Sequence, residues 1–219
     1  MLDYVGPSAA NYTLKMSKKD GSEPRRLPVT FLQSAPDLRR CPSESGPEVA
    51  FAGRSNAGKS SVLNRLTGNR RTAKVSKTPG RTQLLNFFDV SSGGRIVDLP
   101  GYGYAKATRS AQAAWQAAVN EYLSERESLA AVVLVMDIRH PLQSYDLELI
   151  EWSTPSDLPV RALLNKCDKL KSGARGKALA QVRRALNDHP NVSVQAFSAQ
   201  NGYGQTELLE WLETRLTSH

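Results

Sequence analysis

The segment from Gly53 to Ser60 reads G-R-S-N-A-G-K-S, which has the residue types and spacing of a phosphate-binding loop, G-x-x-x-x-G-K-S. Glycines at both ends let the backbone wrap around a phosphate with its N–H groups pointing inward. Lys59 places a positive charge beside the β- and γ-phosphates, and the Ser60 hydroxyl can bind Mg²⁺. An apolar strand at 48–52 precedes the loop, and an amphipathic helix at 61–66 follows it. This context favours a nucleotide-binding loop over a merely flexible Gly/Ser loop.

A second chemical segment, D-L-P-G at 98–101, lies at the end of a predicted strand. Asp98 can hold Mg²⁺ through a water molecule, and the Gly101 amide can reach the γ-phosphate. The D-x-x-G pattern is weak alone, but one hairpin after a phosphate-binding loop it indicates a triphosphate sensor.

A third segment, N-K-C-D at 165–168, also ends a strand, where α/β proteins bind ligands. The Asp168 carboxylate can accept hydrogen bonds from the N1–H and amino groups of guanine. Adenine lacks these donors and would leave a buried carboxylate unpaired, so we expect GTP to be strongly preferred over ATP. The aliphatic part of Lys166 can lie across the base. The backbone amides of Ser198 and Ala199 could meet the guanine O6.

The polar loop T-P-G-R-T at 78–82 lies where a nucleotide-sensing segment belongs. Thr82 is our candidate for the threonine that closes over Mg²⁺ and the γ-phosphate, and Thr78 is the alternative. We expect GTP to order this loop and hydrolysis to release it.

Strands and helices alternate from residue 48 onward, which predicts an α/β fold with a mostly parallel six-stranded sheet and helices on both faces. A Ser-Ser-Gly-Gly turn joins the strands at 82–90 and 95–98, so the first of these should be an antiparallel edge strand. We divide the chain into a basic, partly disordered extension with its linker, residues 1–47, and a nucleotide-binding domain, residues 48–219. Residues 28–32 could add an edge strand.

The net charge of +8 is concentrated in two segments without acidic residues, at 70–81 and 169–184. Each could be a solvated surface, but together they favour a nucleic-acid partner. No apolar run approaches the roughly 20 residues of a membrane-spanning helix. With two widely separated cysteines and no signal-peptide pattern, we expect a cytoplasmic protein that is not inserted in a membrane and is monomeric.

The five motifs together resemble those of the translation-factor-like GTPases. More narrowly, G-R-S-N-A-G-K-S-S, K-T-P-G-R-T-Q, V-D-L-P-G-Y-G-Y-A and M-D-I-R-H-P are similar to motifs of the bacterial EngB (YihA/YsxC) family of ribosome-biogenesis GTP-binding proteins. This resemblance covers the chain from about residue 31 to its end. It implies a three-layer, Ras-like P-loop GTPase fold, GTP binding with slow hydrolysis to GDP, assembly of the large ribosomal subunit, and a need for the protein in normal septation.

The resemblance also implies Mg²⁺ on Ser60 and Thr82. The nucleotide contacts that it implies are Gly53, Arg54, Ser55, Asn56, Ala57, Gly58, Lys59, Ser60, Gly80, Arg81, Thr82, Gln83, Leu84, Asp98, Leu99, Pro100, Gly101, Asn165, Lys166, Cys167, Asp168, Phe197, Ser198 and Ala199.

The sequence does not single out one catalytic residue, and our candidates are Lys59, Thr82, Gly101 and Asn56. Ras-type enzymes use a glutamine soon after D-x-x-G to orient water, whereas Tyr102 occupies the next position here, so turnover should be slow. Asn56 matches a position at which related GTPases hold K⁺, although it could equally bond within the loop.

Two other segments carry weaker expectations. Flanking glycines suggest that Tyr102 and Tyr104 are exposed and contact a partner, and D-I-R-H-P at 137–141 is interpreted as a structural turn.

The leading hypothesis is a GTP-dependent switch that docks on ribosomal RNA. The alternative is a GTP-regulated protein-interaction module in cell division without direct RNA contact. A P-loop ATPase or small-molecule kinase conflicts with Asp168.

Overall fold

The computed structural model describes residues 25–68, 84–102 and 109–217. In chain order the strands are β1 (Val29–Ala35), β2 (Glu48–Gly53), β3 (Leu85–Val90), β4 (Arg95–Asp98), β5 (Leu129–Asp137), β6 (Val160–Asn165) and β7 (Val192–Ala196). The helices are α1 (Lys59–Thr67), α2 (Arg109–Glu125), α3 (Ser144–Ser153), α4 (Ser172–Ala185) and α5 (Gln205–Thr217). Short 3₁₀ turns occupy Leu38–Arg40 and Cys167–Lys169.

The strands form one sheet in the order β1-β3-β4-β2-β5-β6-β7. Every pair from β4 to β7 across the sheet is parallel, whereas β3 runs antiparallel to both β4 and β1. The predicted α/β class is therefore confirmed, and the described sheet has seven strands rather than six. β1 is the added strand, and it covers β3, so the antiparallel strand is second from the edge.

Helices cover both faces of the sheet. Alternate residues of β5 enter two separate apolar clusters, with Val133 and Val135 in one and Leu134 and Met136 in the other. The first cluster includes α1 and α5, and the second includes α2, α3 and α4. The chain therefore has three layers, and β5 is apolar because both of its faces are buried.

Residues just before the predicted domain boundary also pack on this core. Leu27 is 2% exposed and donates its backbone N–H to Leu66 of α1 at 2.8 Å. β1 pairs with β3 along its length, apart from a bulge between Phe31 and Gln33. The apolar residues of this segment thus join the sheet despite the Ser- and Pro-rich composition around them.

A charged network holds the amino end of β2, at the edge of the sheet away from the loop that follows Gly53. The Glu48 carboxylate is fully buried and accepts hydrogen bonds from Tyr122 at 3.0 Å and from Arg126 at 2.7 and 3.0 Å. Arg95 lies 3.5 Å from the same carboxylate. Because a buried charge is tolerated only when it is paired, these residues fix the end of α2 against β2 and β4.

Candidate nucleotide-binding site

The loop from Gly53 to Lys59 lies between the end of β2 and the start of α1, as the sequence predicts. Gly53 has φ of 154°, and an added Cβ would lie 2.5 Å from the Val135 carbonyl oxygen. Gly58 has φ of 97°, and its Cβ would lie 2.4 Å from the Asn165 amide nitrogen. Both positions therefore require glycine because neighbouring strands and side chains approach the loop closely.

The lysine of the loop and the aspartate of D-x-x-G meet in the buried interior of the site. Lys59 is 9% exposed and Asp98 is 1% exposed, and the Lys59 ammonium donates to the Asp98 carboxylate. The structure thus brings together two residues that the sequence predicts to share one site. Ser60, the residue after Lys59, is half-buried. Its hydroxyl and the Asp98 carboxylate are oxygen ligands of the kind that bind Mg²⁺, which usually takes one or two protein ligands and completes its shell with water and phosphate oxygens.

Asn165 joins three loops at the carboxyl edge of the sheet. Its side-chain amide donates to the Ala57 carbonyl at 3.0 Å, and its side-chain oxygen accepts from the Ala199 backbone N–H at 3.2 Å. The N-K-C-D segment is thereby fixed against both the phosphate-binding loop and the Ser198–Ala199 loop. The predicted association of these three motifs is present in the structure.

The carboxylate of Asp168 is held ready to accept hydrogen bonds. The Ser198 hydroxyl donates to it at 2.7 Å and Lys169 lies 3.3 Å away, so its pKa is below the ordinary aspartate value. It is therefore an anion with lone pairs available for a donor such as guanine. By contrast, Cys167 and Phe197 are fully buried, so their side chains support the loops from beneath.

Asp137 has a role that the sequence did not reveal. Its carboxylate accepts hydrogen bonds from Lys166 at 3.0 Å and from the Arg139 guanidinium at 2.6 and 2.9 Å. The Arg139 bonds, followed by Lys166, hold the pKa of Asp137 well below its usual range. Lys166 also donates to the Asn56 carbonyl at 2.6 Å. Asp137 therefore positions Lys166 across the site, in addition to closing the predicted turn through a bond from His140 N–H.

The prediction that Tyr102 is exposed is wrong. Tyr102 is 7% exposed, and its hydroxyl donates to the carboxylate of Asp146 at the start of α3. Its pKa is raised well above the usual value by burial and by Asp146. The Ser55 backbone N–H donates to the Tyr102 carbonyl at 2.6 Å. Tyr102 thus connects the phosphate-binding loop to α3.

Several candidate residues lie outside the described part of the chain. These are Thr78, Gly80, Arg81, Thr82, Gln83 and Tyr104. The closing threonine and the nucleotide-sensing loop therefore stay predictions. Asn56 is described, with φ of 69°, and Leu84 is half-buried, but neither observation tests K⁺ binding or nucleotide contact.

Comparison with known proteins identifies the family. A family model described as "50S ribosome-binding GTPase" matches residues 48–166. The EngB protein of Colwellia psychrerythraea is 52% identical over 84% of this chain and 85% of its own length, and that of Tolumonas auensis is 54% identical over 82% and 85%. The chain belongs to the EngB family of GTP-binding proteins. An Escherichia coli EngB protein is 52% identical over 84% of this chain and 88% of its own length. Membership of this family confirms that the protein is a P-loop GTPase that binds GTP and GDP.

Solved structures agree on the fold. A probable GTP-binding protein EngB has a TM-score of 0.63 at 22% identity, covering 77% of this chain and 98% of that one. Era in complex with MgGDPNP and nucleotides 1506–1542 of 16S ribosomal RNA has a TM-score of 0.58 at 21% identity, covering 80% and 58%. At these identities the likeness concerns the fold alone. In the part of the chain that the structure describes, none of the helices is long and apolar enough to cross a bilayer.

Proposed function

We propose that this GTPase is a conformational switch in assembly of the large ribosomal subunit and is required for normal septation. The observation that carries the proposal is the match of residues 48–166 to the 50S ribosome-binding GTPases. The basic surface of α4 supports it, because a ribosomal partner presents RNA phosphates. On this proposal residues 48–219 contain the nucleotide-binding machinery, residues 1–47 are an extension that contributes β1 to the sheet, and the protein acts as a cytoplasmic monomer.

The nucleotide is held by three groups of residues in this proposal. The backbone of Gly53–Ser60 surrounds the phosphates, and Lys59 leaves Asp98 to contact them. Asp168 accepts hydrogen bonds from the guanine N1–H and amino groups, and Lys166 covers the base. Asn165 holds the phosphate-binding loop and the Ser198–Ala199 loop together. Rejection of ATP follows because adenine cannot satisfy the Asp168 carboxylate. The remaining contacts implied by the EngB motifs, including Gly80–Leu84, complete the site.

Mg²⁺ fits the oxygen donors of the phosphate side. Ser60 and Thr82 would bind it directly and Asp98 through a water molecule. The ion supplies charge neutralisation on the phosphates. The Gly101 amide and Lys59 would contribute donors to the γ-phosphate. Residue 102 is a buried tyrosine whose hydroxyl is bonded to Asp146, so it would not orient water for attack, and we expect slow hydrolysis.

K⁺ bound at Asn56 is our proposed source of additional charge stabilisation. We expect hydrolysis to be faster in KCl than in NaCl at matched ionic strength, and the stimulation should disappear in Asn56→Ala. Equal rates in the two salts would reject this part of the proposal without affecting nucleotide binding.

RNA contact is assigned to the basic surface of α4. The helix contains no acidic residue, and Lys171, Lys177 and Arg184 along and just before it are exposed. α4 packs beside β7, the edge of the sheet opposite β1. The other basic segment, 70–81, lies in a part of the chain that the structure does not describe.

Sedimentation with large ribosomal subunits tests the proposal. The GTP-bound protein should bind better than the GDP-bound form, and binding should weaken steeply with salt, with about one unit of log–log slope for each phosphate contact. The double substitution Lys177→Gln and Arg184→Gln should reduce that slope. A matched control is Arg39→Gln with Arg40→Gln, which removes the same charge from exposed residues after β1 at the opposite sheet edge.

The alternative function is a GTP-regulated protein-interaction module in cell division without direct RNA contact. Its outcome in the same experiment is binding that depends on neither nucleotide nor salt, or no binding to subunits at all. Either result would overturn the ribosomal proposal and leave the GTPase activity intact.

A further inference from the structure

Tyr203 is an exposed aromatic residue on a firmly held loop. Its side chain is 45% exposed. The flanking residues Gly202 and Gly204 have φ of 82° and 77°, and a Cβ at Gly204 would lie 2.4 Å from the Ala196 carbonyl oxygen. The Tyr203 carbonyl accepts from the Ser198 backbone N–H at 3.0 Å. The ring is therefore presented to solvent by an ordered backbone, and no flexible tail is involved.

Arg175 of α4 covers part of this ring. Its guanidinium carbon lies 4.4 Å from the ring centroid. The exposed cations Lys171, Lys177 and Arg184 lie on or next to the same helix, which has no acidic residue. We refer to Arg175 and Tyr203 together as the Arg175–Tyr203 platform. It combines a flat aromatic surface with the charge of Arg175. Lys171 lies about one turn before Arg175 on the same side, whereas Lys177 and Arg184 lie on the opposite face of the helix.

These features fit an unpaired nucleotide. A base inside a duplex is already stacked on both faces, so the exposed Tyr203 ring can stack only on an unpaired base with a free face. Stacking on an aromatic ring with an arginine beside it is tolerant of base identity, and Arg175 and Lys171 can contact the adjoining phosphates. A membrane surface is disfavoured, because the exposed positions of α4 carry glycine, alanine and glutamine between the cations and no large apolar side chain.

The platform shares its loop with the proposed guanine site. Ser198, which bonds the Tyr203 carbonyl through its backbone N–H, also donates its hydroxyl to Asp168. Ala199, the next residue, donates its N–H to Asn165. A ligand that orders Asp168 and the Ser198–Ala199 amides would therefore also order the backbone that presents the ring.

We propose that the Arg175–Tyr203 platform binds an unpaired nucleotide of RNA and that guanine nucleotide in the neighbouring site strengthens this binding. The inference rests on the proposed function, since it specifies how the protein contacts ribosomal RNA. It adds a contact to a base where charge alone would give only contacts to phosphates.

The test uses the full chain, loaded with GDP or a non-hydrolysable GTP analogue, and a fluorescent oligouridylate of about 12 nucleotides, within the range of single-strand binding sites. Fluorescence anisotropy measures its affinity, and an RNA duplex of equal length is the comparison. Tyr203→Ala should weaken oligouridylate binding about tenfold, since each stacked base contributes about 1–3 kcal/mol and 1.4 kcal/mol is tenfold. The salt dependence should not change.

Two further variants serve as controls. Tyr203→Phe keeps the ring and should bind nearly as well as the wild type. Tyr145→Ala removes a tyrosine of similar exposure, 43%, from α3 and should leave binding unchanged. GDP affinity and thermal unfolding of each variant show whether the loop remains folded. If Tyr203→Ala does not fold, the comparison with the duplex and the effect of bound nucleotide on the wild type still test the inference.

Three results would overturn the inference. One is equal binding by wild type and Tyr203→Ala while Lys177→Gln with Arg184→Gln weakens it, which would mean phosphate contacts only. Another is a preference for the duplex, and the third is no effect of bound nucleotide on affinity. In each case sedimentation of the wild type with ribosomal subunits decides separately whether the proposed function survives.

Discussion

Replacing Asp137 by asparagine isolates the contribution of one carboxylate to guanine-nucleotide binding. The change keeps the size of the side chain and removes its charge. Lys166 then loses its 3.0 Å ion pair but keeps its bond to the Asn56 carbonyl. Because Lys166 would be less well held in the position where we propose that it covers the base, we expect weaker GDP binding with the fold preserved.

The magnitude follows from the surroundings of the pair. The side chains of Lys166 and Asp137 are 28% and 15% exposed, so the pair is neither fully solvated nor dry. Exposed ion pairs contribute about 0–1 kcal/mol and hydrogen bonds to charged groups about 1.5–3 kcal/mol. A value of about 1 kcal/mol is reasonable between them, and it corresponds to about a fivefold increase in Kd.

Isothermal titration calorimetry with GDP measures the effect in a double-mutant cycle. Asp137→Asn should weaken binding about fivefold in the wild-type background and less than about twofold in the Lys166→Met background, because the partner is already absent. Arg139→Ala removes the other partner of Asp137 and should leave GDP affinity nearly unchanged. A full fivefold effect in both backgrounds would show that Asp137 does not act through Lys166.

Four further predictions concern single residues. Asp168→Asn should move nucleotide preference from guanine toward xanthine, and competition binding that still favours GDP would contradict the assignment of the base. Tyr102→Phe should lower the free energy of unfolding by about 2 kcal/mol in urea, because the buried Asp146 carboxylate loses a donor; unchanged stability would mean that this bond contributes nothing. Gly176→Ala should raise it by about 0.5–1 kcal/mol, since the residue lies inside α4 and an added Cβ meets nothing within 4 Å. Finally, the pKa of Asp137 in the folded protein lies below that of an ordinary aspartate, so its ionised form stabilises the fold above about pH 4 and this contribution is lost as the pH falls further. The difference in the free energy of unfolding between wild type and Asp137→Asn should therefore shrink below about pH 4; a constant difference would contradict this.

The local motifs were predictable because their information lies in adjacent residues. The strand, glycine-rich loop and helix around Lys59 follow from spacing and periodicity, and the structure confirms the elements. Asn165 and Asp168 were assigned to one strand end, where they are found. β1 was harder to assign, since its paired residues in β3 lie 50 to 61 residues later in the chain and its own sequence carries little alternation.

The contacts that were missed depend on which strand ends are neighbours. Asp137 pairs with Asn165 in the register of β5 and β6, which brings its carboxylate to Lys166. The sequence shows both strand ends but gives no spatial order for the strands. In the same way, the burial of Tyr102 depends on Asp146, 44 residues away on α3. The position of Asp137 at the carboxyl end of an apolar strand, like that of Asp98, is the signal that could have indicated its role.

The network around Glu48 gives α2 a fixed end. Tyr122, near the carboxyl end of the helix, and Arg126 just after it are bound to a fully buried carboxylate, while the amino end of the helix begins at Arg109, a few residues after Gly101. If the proposed rearrangement on GTP binding starts at Gly101, α2 would therefore rotate about its carboxyl end, which Glu48 holds in place. Its amino-terminal turns would move farthest, and the attachment to β2 would stay in place.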